Sequence, residues 1–250
     1  MVGNLLLRGM IVGVVAGLLA FGFARVFGEP AVEHAIALEE AASQAKGEAP
    51  EPELVSREVQ AGLGLFTGLV TFGAALGGLF SLAFAFAHGR LTSLSPRATA
   101  GLLALAGFVT LVLVPALKYP PNPPAVGDPE TIGLRTQLYF AMLVFSLAGA
   151  VLAVAVGKRF RPALGVWNAA LLGVVVYAAA VILLQLALPS INEVPEQFPA
   201  TLLWQFRTAS LGVQATVWTT LGLLFGYVAE RYMAAARTGD ARLAYSQGSR

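Results

Sequence analysis

The feature that most constrains this chain is a series of six apolar runs, each about as long as one crossing of a lipid bilayer. A membrane-spanning helix needs about 20 apolar residues, and the runs cover 5–27, 61–88, 100–117, 137–156, 164–188 and 208–229. Only 12% of the residues are charged, whereas soluble domains carry about 25%. So little charge cannot cover a water-facing globule. The pattern therefore predicts an all-α, polytopic membrane helical bundle of about six transmembrane helices, forming a single domain over 1–232.

The polar segments predict what lies outside the bilayer. The stretch 31–60 is expected to be an outer loop, because it follows the first run and is rich in glutamate. Its alanine- and glutamate-rich first half predicts a short extramembrane helix, and its proline-containing second half predicts a linker. The polar segment 233–250 predicts a disordered cytoplasmic tail. The first run is too long for a signal-peptide core, so it is expected to be retained.

The distribution of charge predicts the orientation. Ten of the sixteen Lys and Arg residues lie at the N-terminus, in the turns near 89–98 and 157–162, and in 230–250. Twelve of the fourteen acidic residues lie in the other loops. Because basic loops stay in the cytoplasm, both termini are expected there, and the long acidic loops are expected outside.

The sequence lacks the motifs of several enzyme classes. The patterns GxxxxGK[ST], HExxH and GxSxG are absent, and each would position phosphates, zinc or a nucleophile. With no cysteine and two histidines, a closed zinc site within one chain is not expected. The sequence therefore predicts a non-enzyme with no permanently bound cofactor and no nucleic-acid partner.

The centres of the six runs contain no Asp, Glu, Lys or Arg, so a relay of buried carboxylates is not encoded. The amides inside the runs are Asn168, Gln185 and Gln214. We expect them to form interhelical hydrogen bonds, with coordination of a desolvated ion as the alternative.

Glycines recur every four residues in the first two runs, at Gly9, Gly13 and Gly17 and again at Gly73 and Gly77. Small residues at this spacing allow helix backbones to approach closely. The pattern favours tight helix packing, and a glycine-lined path is the alternative.

The outer end of the first run carries the best candidates for metal ligands: Glu29, Glu33, His34 and Glu40. Glu29 and Glu33 are four residues apart and share a helix face if the helix resumes after Pro30. Carboxylate oxygens with one imidazole suit a borderline divalent ion such as Co(II). The alternative is a solvated acidic helix. His88, at the other end of the second run, is expected to be interfacial and without function.

The loop after the third run contains four prolines in five residues, which exclude a helix. It is predicted to form a rigid outer gate or docking surface. Its residues are Tyr119, Pro120, Pro121, Asn122, Pro123 and Pro124.

Three stretches, 8–41, 117–136 and 207–232, resemble the CbtA family of bacterial membrane proteins, which are predicted cobalt transporter subunits. The first reads RGMIVGVVAGLLAFGFARVFGEPAVEHAIALEEA and the second LKYPPNPPAVGDPETIGLRT. The resemblance implies a cobalt transport component of the inner membrane, linked to cobalamin supply. It also implies a small partner, CbtB, with one membrane span and a histidine-rich end. The family is commonly described with about five spans, whereas the apolar runs predict six.

Two functions from different classes follow. The leading hypothesis is a subunit of a divalent metal permease, in which Co(II) or a similar ion is the substrate. The ion would be captured at the acidic outer face and would cross with help from the partner or at a homo-oligomer interface. The alternative is a non-transporting scaffold or regulatory subunit of another permease. An enzyme acting on lipid or isoprenoid substrates lacks any supporting acidic motif.

Overall fold

The computed structural model describes residues 2–47 and 54–236, and within these ranges the regular elements are all helices. Five of them are long and apolar enough to cross a membrane. They are α1 (Val2–Ala45), α2 (Arg57–Ala87), α3 (Pro96–Lys118), α4 (Pro129–Ala187) and α5 (Ala200–Ala236). The predicted all-α, polytopic class is confirmed. The linker residues 48–53 and the predicted tail from 237 to 250 lie outside the described residues.

The longest helix, α4, folds back on itself at Gly165. This residue has φ 74° and ψ 173°, a backbone conformation that favours glycine. A Cβ on Gly173 would lie 3.0 Å from the carbonyl oxygen of Ala153, and one on Gly157 would lie 3.1 Å from that of Ala169. Residue numbers therefore rise along one arm as they fall along the other. The arms 132–164 and 166–187 form an antiparallel helical hairpin, which contains the fourth and fifth apolar runs.

The first helix continues past its expected end near residue 27. A π-turn at Ala24–Gly28 directly precedes Glu29 and Pro30, and the helix then runs on to Ala45. The wider turn accommodates a proline that lacks an N–H, as such local adjustments do in membrane helices. With 44 residues, α1 is about 66 Å long at 1.5 Å per residue. This is roughly twice the ~30 Å hydrocarbon core, so much of α1 extends beyond a bilayer.

The chain divides into two compact units. Unit 1 comprises Met1–Glu29, Pro52–Ala106 and Gly212–Arg250, and unit 2 comprises Pro30–Glu51 and Gly107–Leu211.

In unit 1, α1 and α2 pack backbone to backbone. A Cβ on Gly13 would collide with the carbonyl oxygen of Gly73, and one on Gly9 would collide with that of Gly77. The prediction of close helix packing at these glycines is confirmed. The order of the contacts also shows that the two helices are antiparallel. Unit 1 therefore has a Glu29 end, where α1 leaves it, and a His88 end, where α2 stops.

An aromatic cluster forms the core of unit 1 toward its His88 end. Phe225 of α5 packs edge-on against Phe80 and Phe84 of α2, with ring centroids 5.4 and 5.2 Å apart. All three rings are nearly or fully buried. Edge-to-face contacts of this kind stabilise beyond simple burial, so the cluster fixes α5 against α2.

Candidate functional site

The first metal candidate, Glu29, is held by an arginine of the neighbouring helix. The guanidinium of Arg57 donates a hydrogen bond to the Glu29 carboxylate and forms an ion pair with it. The two side chains are only 30% and 14% exposed, respectively. π-turns lie directly before Glu29, at Ala24–Gly28, and shortly after Arg57, at Gln60–Gly64. Such turns are frequent at functional sites. A metal ion at Glu29 has to compete with the cation of Arg57.

The part of α1 in unit 2 has a buried alanine face and an exposed acidic face. Ala31 and Ala35 are one turn apart, are almost fully buried, and form a core cluster with Leu202 of α5. Glu33 is two residues from each alanine, which places it on the far side of the helix. Its side chain is exposed and accessible to an ion in solution.

His34 and Glu40 are exposed as well. Within 2–47 and 54–236, however, no group of three or more His, Cys, Asp or Glu side chains is arranged to hold a metal ion. The four candidates therefore do not form a preassembled site, and an ion captured by one or two of them would keep most of its water. Their role in metal capture stays a prediction.

The proline-rich loop 119–124 is fastened within unit 2 at two points. The Tyr119 hydroxyl donates to the carbonyl oxygen of Pro189 at 2.7 Å, and burial raises the pKa of this tyrosine. The Arg207 guanidinium donates to Oδ1 of Asn122 at 2.8 Å. Pro123 is buried, and Pro120, Pro121, Asn122 and Pro124 are partly buried. These bonds hold the loop in place, although its role as a gate or docking surface stays a prediction.

Glu193 ties the loop that follows α4 to the start of α4. Its carboxylate accepts hydrogen bonds from the Thr131 hydroxyl at 2.6 Å and the Asp128 N–H at 2.8 Å. The guanidinium of Arg135 lies 3.4 Å away. The hydrogen bond from Thr131 contributes most to holding the pKa of Glu193 below its ordinary value. The Asp128 N–H and the positive charge of Arg135 lower this pKa further. A carboxylate engaged by three partners fastens the loops and is not available to a metal ion.

The amides predicted inside the membrane have different surroundings. Gln185 makes the expected interhelical hydrogen bond, donating from Nε2 to the carbonyl oxygen of Val114 at 3.4 Å. The backbone carbonyl oxygen of Gln185 accepts a hydrogen bond from the Lys118 ammonium at 2.6 Å. Asn168 is exposed near the tip of the α4 hairpin, and Gln214 is partly buried in α5.

A buried polar contact in unit 2 was not predicted. Ser146 is fully buried and donates to the carbonyl oxygen of Thr110 at 2.8 Å, while its oxygen lies 2.9 Å from the Tyr177 hydroxyl. Thr110 is in the π-turn Val109–Leu113, where the altered helical pattern leaves a carbonyl available. Ser146 and Tyr177 are isolated hydroxyls in apolar runs, and only the hairpin brings them together.

His88 also has partners that its sequence neighbours do not reveal. Its ring stacks on Phe84, with centroids 5.2 Å apart, and its Nδ1 lies 3.3 Å from Oγ1 of Thr99. Glu230 of α5 lines the same cavity as His88 and forms an ion pair with Arg97. At the His88 end of unit 1, an imidazole and a carboxylate therefore line the same cavity.

Five helices are long and apolar enough to cross a membrane, and the centres of the apolar runs contain no charged residue. These features define a multi-pass membrane protein. The family model described as probable cobalt transporter subunit (CbtA) matches residues 2–230. The chain belongs to that family, as the resemblance of its three stretches predicts. No curated protein and no solved structure matches it.

Proposed function

We propose that this protein is the membrane component of a cobalt transport system, with Co(II) as substrate and no catalytic activity of its own. The observation that carries the proposal is the family match, which extends over residues 2–230 of the 250. A family of transporter subunits supports a role in moving the ion rather than in transforming a metabolite.

We propose six membrane crossings, two of them supplied by α4. As one straight helix, its 59 residues would extend for about 88 Å, nearly three times the hydrocarbon core. Each arm of the hairpin is long enough for one crossing, and the arms are antiparallel. An even number of crossings returns both termini to the same side. The basic turns and tail favour the cytoplasm for that side, in the inner membrane of a bacterium.

Capture of the ion is assigned to the projecting part of α1, at Glu33, His34 and Glu40, with Glu29 as the next ligand inward. The exposure of the first three supports this assignment. One chain provides few donors, so a small, one-span, histidine-rich partner or a second copy would complete the coordination. The fastened loop 119–124 offers a rigid surface on which such a partner could dock.

The test is cobalt uptake by a bacterial strain that lacks its own cobalt importer, with the partner gene present and absent. The triple variant Glu33→Ala, His34→Ala, Glu40→Ala is expected to raise the KM for uptake and to leave the maximal rate nearly unchanged. Glu58→Ala, which removes another exposed acid, is the matched control. Unchanged KM in the triple variant rejects the capture role. If the wild-type chain supports no cobalt uptake, with or without the partner gene, the proposal of transport is rejected.

The alternative is a scaffold that assembles or regulates another permease. The centres of the apolar runs lack charged residues, and the buried Ser146 already has protein partners, which favours a structural role for the bundle. Liposomes that contain only this chain separate the two functions. Cobalt flux into them excludes a pure scaffold.

A further inference from the structure

The His88 end of unit 1 contains a cavity of about 470 Å³. One wall is the turn that joins α2 to α3, and the other is the last part of α5. The donor side chains that line it are His88, Thr92, Ser93, Ser95, Glu230 and Met233. The cavity therefore combines an imidazole, a carboxylate, three hydroxyls and a thioether.

We propose that this cavity is a second cation site, where the transported Co(II) ion binds at the end of unit 1 opposite to Glu29. This inference rests on the proposed function, since it names a further site for the same substrate. Imidazole nitrogen and carboxylate oxygen suit borderline divalent ions. Within 2–47 and 54–236, no third His, Cys, Asp or Glu joins them. Water and the hydroxyls complete the coordination, so the ion is held weakly and can leave.

His88 is positioned to act as a ligand. Its ring is stacked on Phe84, and Nδ1 is directed to the hydroxyl of Thr99. A hydrogen bond at one ring nitrogen fixes the orientation of the ring and leaves the other nitrogen for a metal. Because the Thr99 hydroxyl donates to the carbonyl oxygen of Leu94, it accepts the hydrogen bond from Nδ1–H, and Nε2 is left as the ligand nitrogen.

Arg97 is the internal competitor for this site. Its guanidinium pairs with the Glu230 carboxylate and lies 5.2 Å from the centre of the Tyr227 ring. A cation that binds Glu230 must displace Arg97, whose stacking on Tyr227 provides an alternative contact. The Glu29 end has the same arrangement, in which Arg57 covers the carboxylate. Unit 1 thus has one arginine-covered glutamate at each end, and an arriving ion has to exchange with an arginine at both.

The experiment measures Co(II) binding to the full-length chain in lipid nanodiscs. Cobalt(II) chloride is titrated into the Glu33→Ala, His34→Ala, Glu40→Ala background, and the visible absorption of the bound ion is followed. Glu230→Gln and His88→Gln are each expected to weaken binding by at least about tenfold, because each removes a direct ligand rather than an outer one. Arg97→Gln is expected to tighten binding, since it removes the competing cation. Glu196→Gln is the control, because it neutralises an exposed acid in unit 2.

The gain expected from Arg97→Gln keeps the test valid even if His88→Gln fails to fold. That gain must also disappear when Glu230→Gln is added. Affinities equal to that of the background in all three variants overturn the site. If the three variants bind cobalt as tightly as the background and cells still take up cobalt, the site is overturned but the proposed function stands. Binding that depends on His88 and Glu230 in a chain that transports no cobalt supports the site and overturns the proposed function.

Discussion

The guanidinium of Arg57 lies against the carboxylate of Glu29 and joins α2 to α1 at the end where their glycine contacts stop. Between Gly9 and Gly17 the two helices touch through backbone atoms, which carry no net charge. The ion pair supplies a charged contact between them at their Glu29 end. π-turns lie close to both of its residues, at Ala24–Gly28 and at Gln60–Gly64.

The Glu29–Arg57 pair is expected to stabilise unit 1. Glu29→Gln and Arg57→Gln should each lower the thermal midpoint of the protein in detergent, because each leaves a partly buried partner without its counter-charge. The double variant should lose less than the sum of the two. A coupling free energy of about 1 kcal/mol is expected, because the pair is neither fully exposed nor fully buried. Additive losses would show that the contact contributes nothing.

Gly13 is expected to tolerate no side chain. Gly13→Ala places a Cβ against the Gly73 carbonyl oxygen, and overpacking of this kind destabilises by about 1–3 kcal/mol. Gly22→Ala is the control, since a Cβ there has no neighbour within 4 Å. The control should be neutral or stabilising, because alanine favours the helix. Thermal unfolding of both variants in the same detergent measures the difference, and equal midpoints would contradict the close approach.

The sequence predicts much of this architecture because apolar length and glycine spacing are local signals. Gly9, Gly13 and Gly17 define a smooth helix face without any knowledge of the partner. The contacts that depend on the fold are different. Arg57 meets Glu29, and Glu230 meets Arg97 beside His88, only after distant helices have packed. His88 has no acidic neighbour in the chain, so its environment could not be inferred from the sequence.

The end of the first apolar run shows a second limit. A proline such as Pro30 often ends a helix because it lacks an N–H. The π-turn before Glu29-Pro30 accommodates the missing hydrogen bond, and the helix continues through both residues. Whether one turn winds as an α-helix or as a π-helix depends on packing, so the five residues Ala24–Gly28 do not by themselves reveal it. The candidate ligands after Pro30 lie on the predicted helix, which is continuous with the first membrane helix rather than separate from it.

Glu193 is expected to make the stability of the loops depend on pH. Its folded-state pKa is depressed below the ordinary value of 4.5 by the bonds from Thr131 and Asp128 and by Arg135. A depressed carboxyl pKa means that the unfolded chain takes up its proton first as the pH falls. The contribution is therefore fully present above about pH 4.5 and is lost as the pH falls through the lower folded value.

Glu193→Gln should accordingly be less stable than the wild type at pH 7, and the difference should shrink below about pH 4.5. Hydrogen exchange of residues 126–132 at several pH values measures it locally. Glu196→Gln, in the same loop but exposed, is the control. If the stability difference between the wild type and Glu193→Gln were the same at every pH, the negative charge of Glu193 would not be what stabilises the loops.

Gly165 is expected to be essential to the α4 hairpin. Its φ of 74° and ψ of 173° form a conformation that is strained for any residue with a Cβ, so Gly165→Ala should destabilise by about 1–3 kcal/mol. Gly133→Ala near the start of α4 is the matched control, because a Cβ there meets nothing within 4 Å. Thermal midpoints measured in detergent give the comparison, and equal values for the two variants would contradict the turn.

The hairpin also predicts which side of the membrane each loop faces. The chain has no cysteine, so single cysteines introduced at Glu130, Arg159 and Glu196 can be labelled in intact cells with a membrane-impermeant maleimide. With two crossings in α4, the cysteines at 130 and 196 should react from outside, and the one at 159 only after the cells are opened. With a single crossing, the cysteine at 196 would instead be protected together with the one at 159. Position 196 therefore distinguishes six crossings from five, and with them whether the termini lie on the same side.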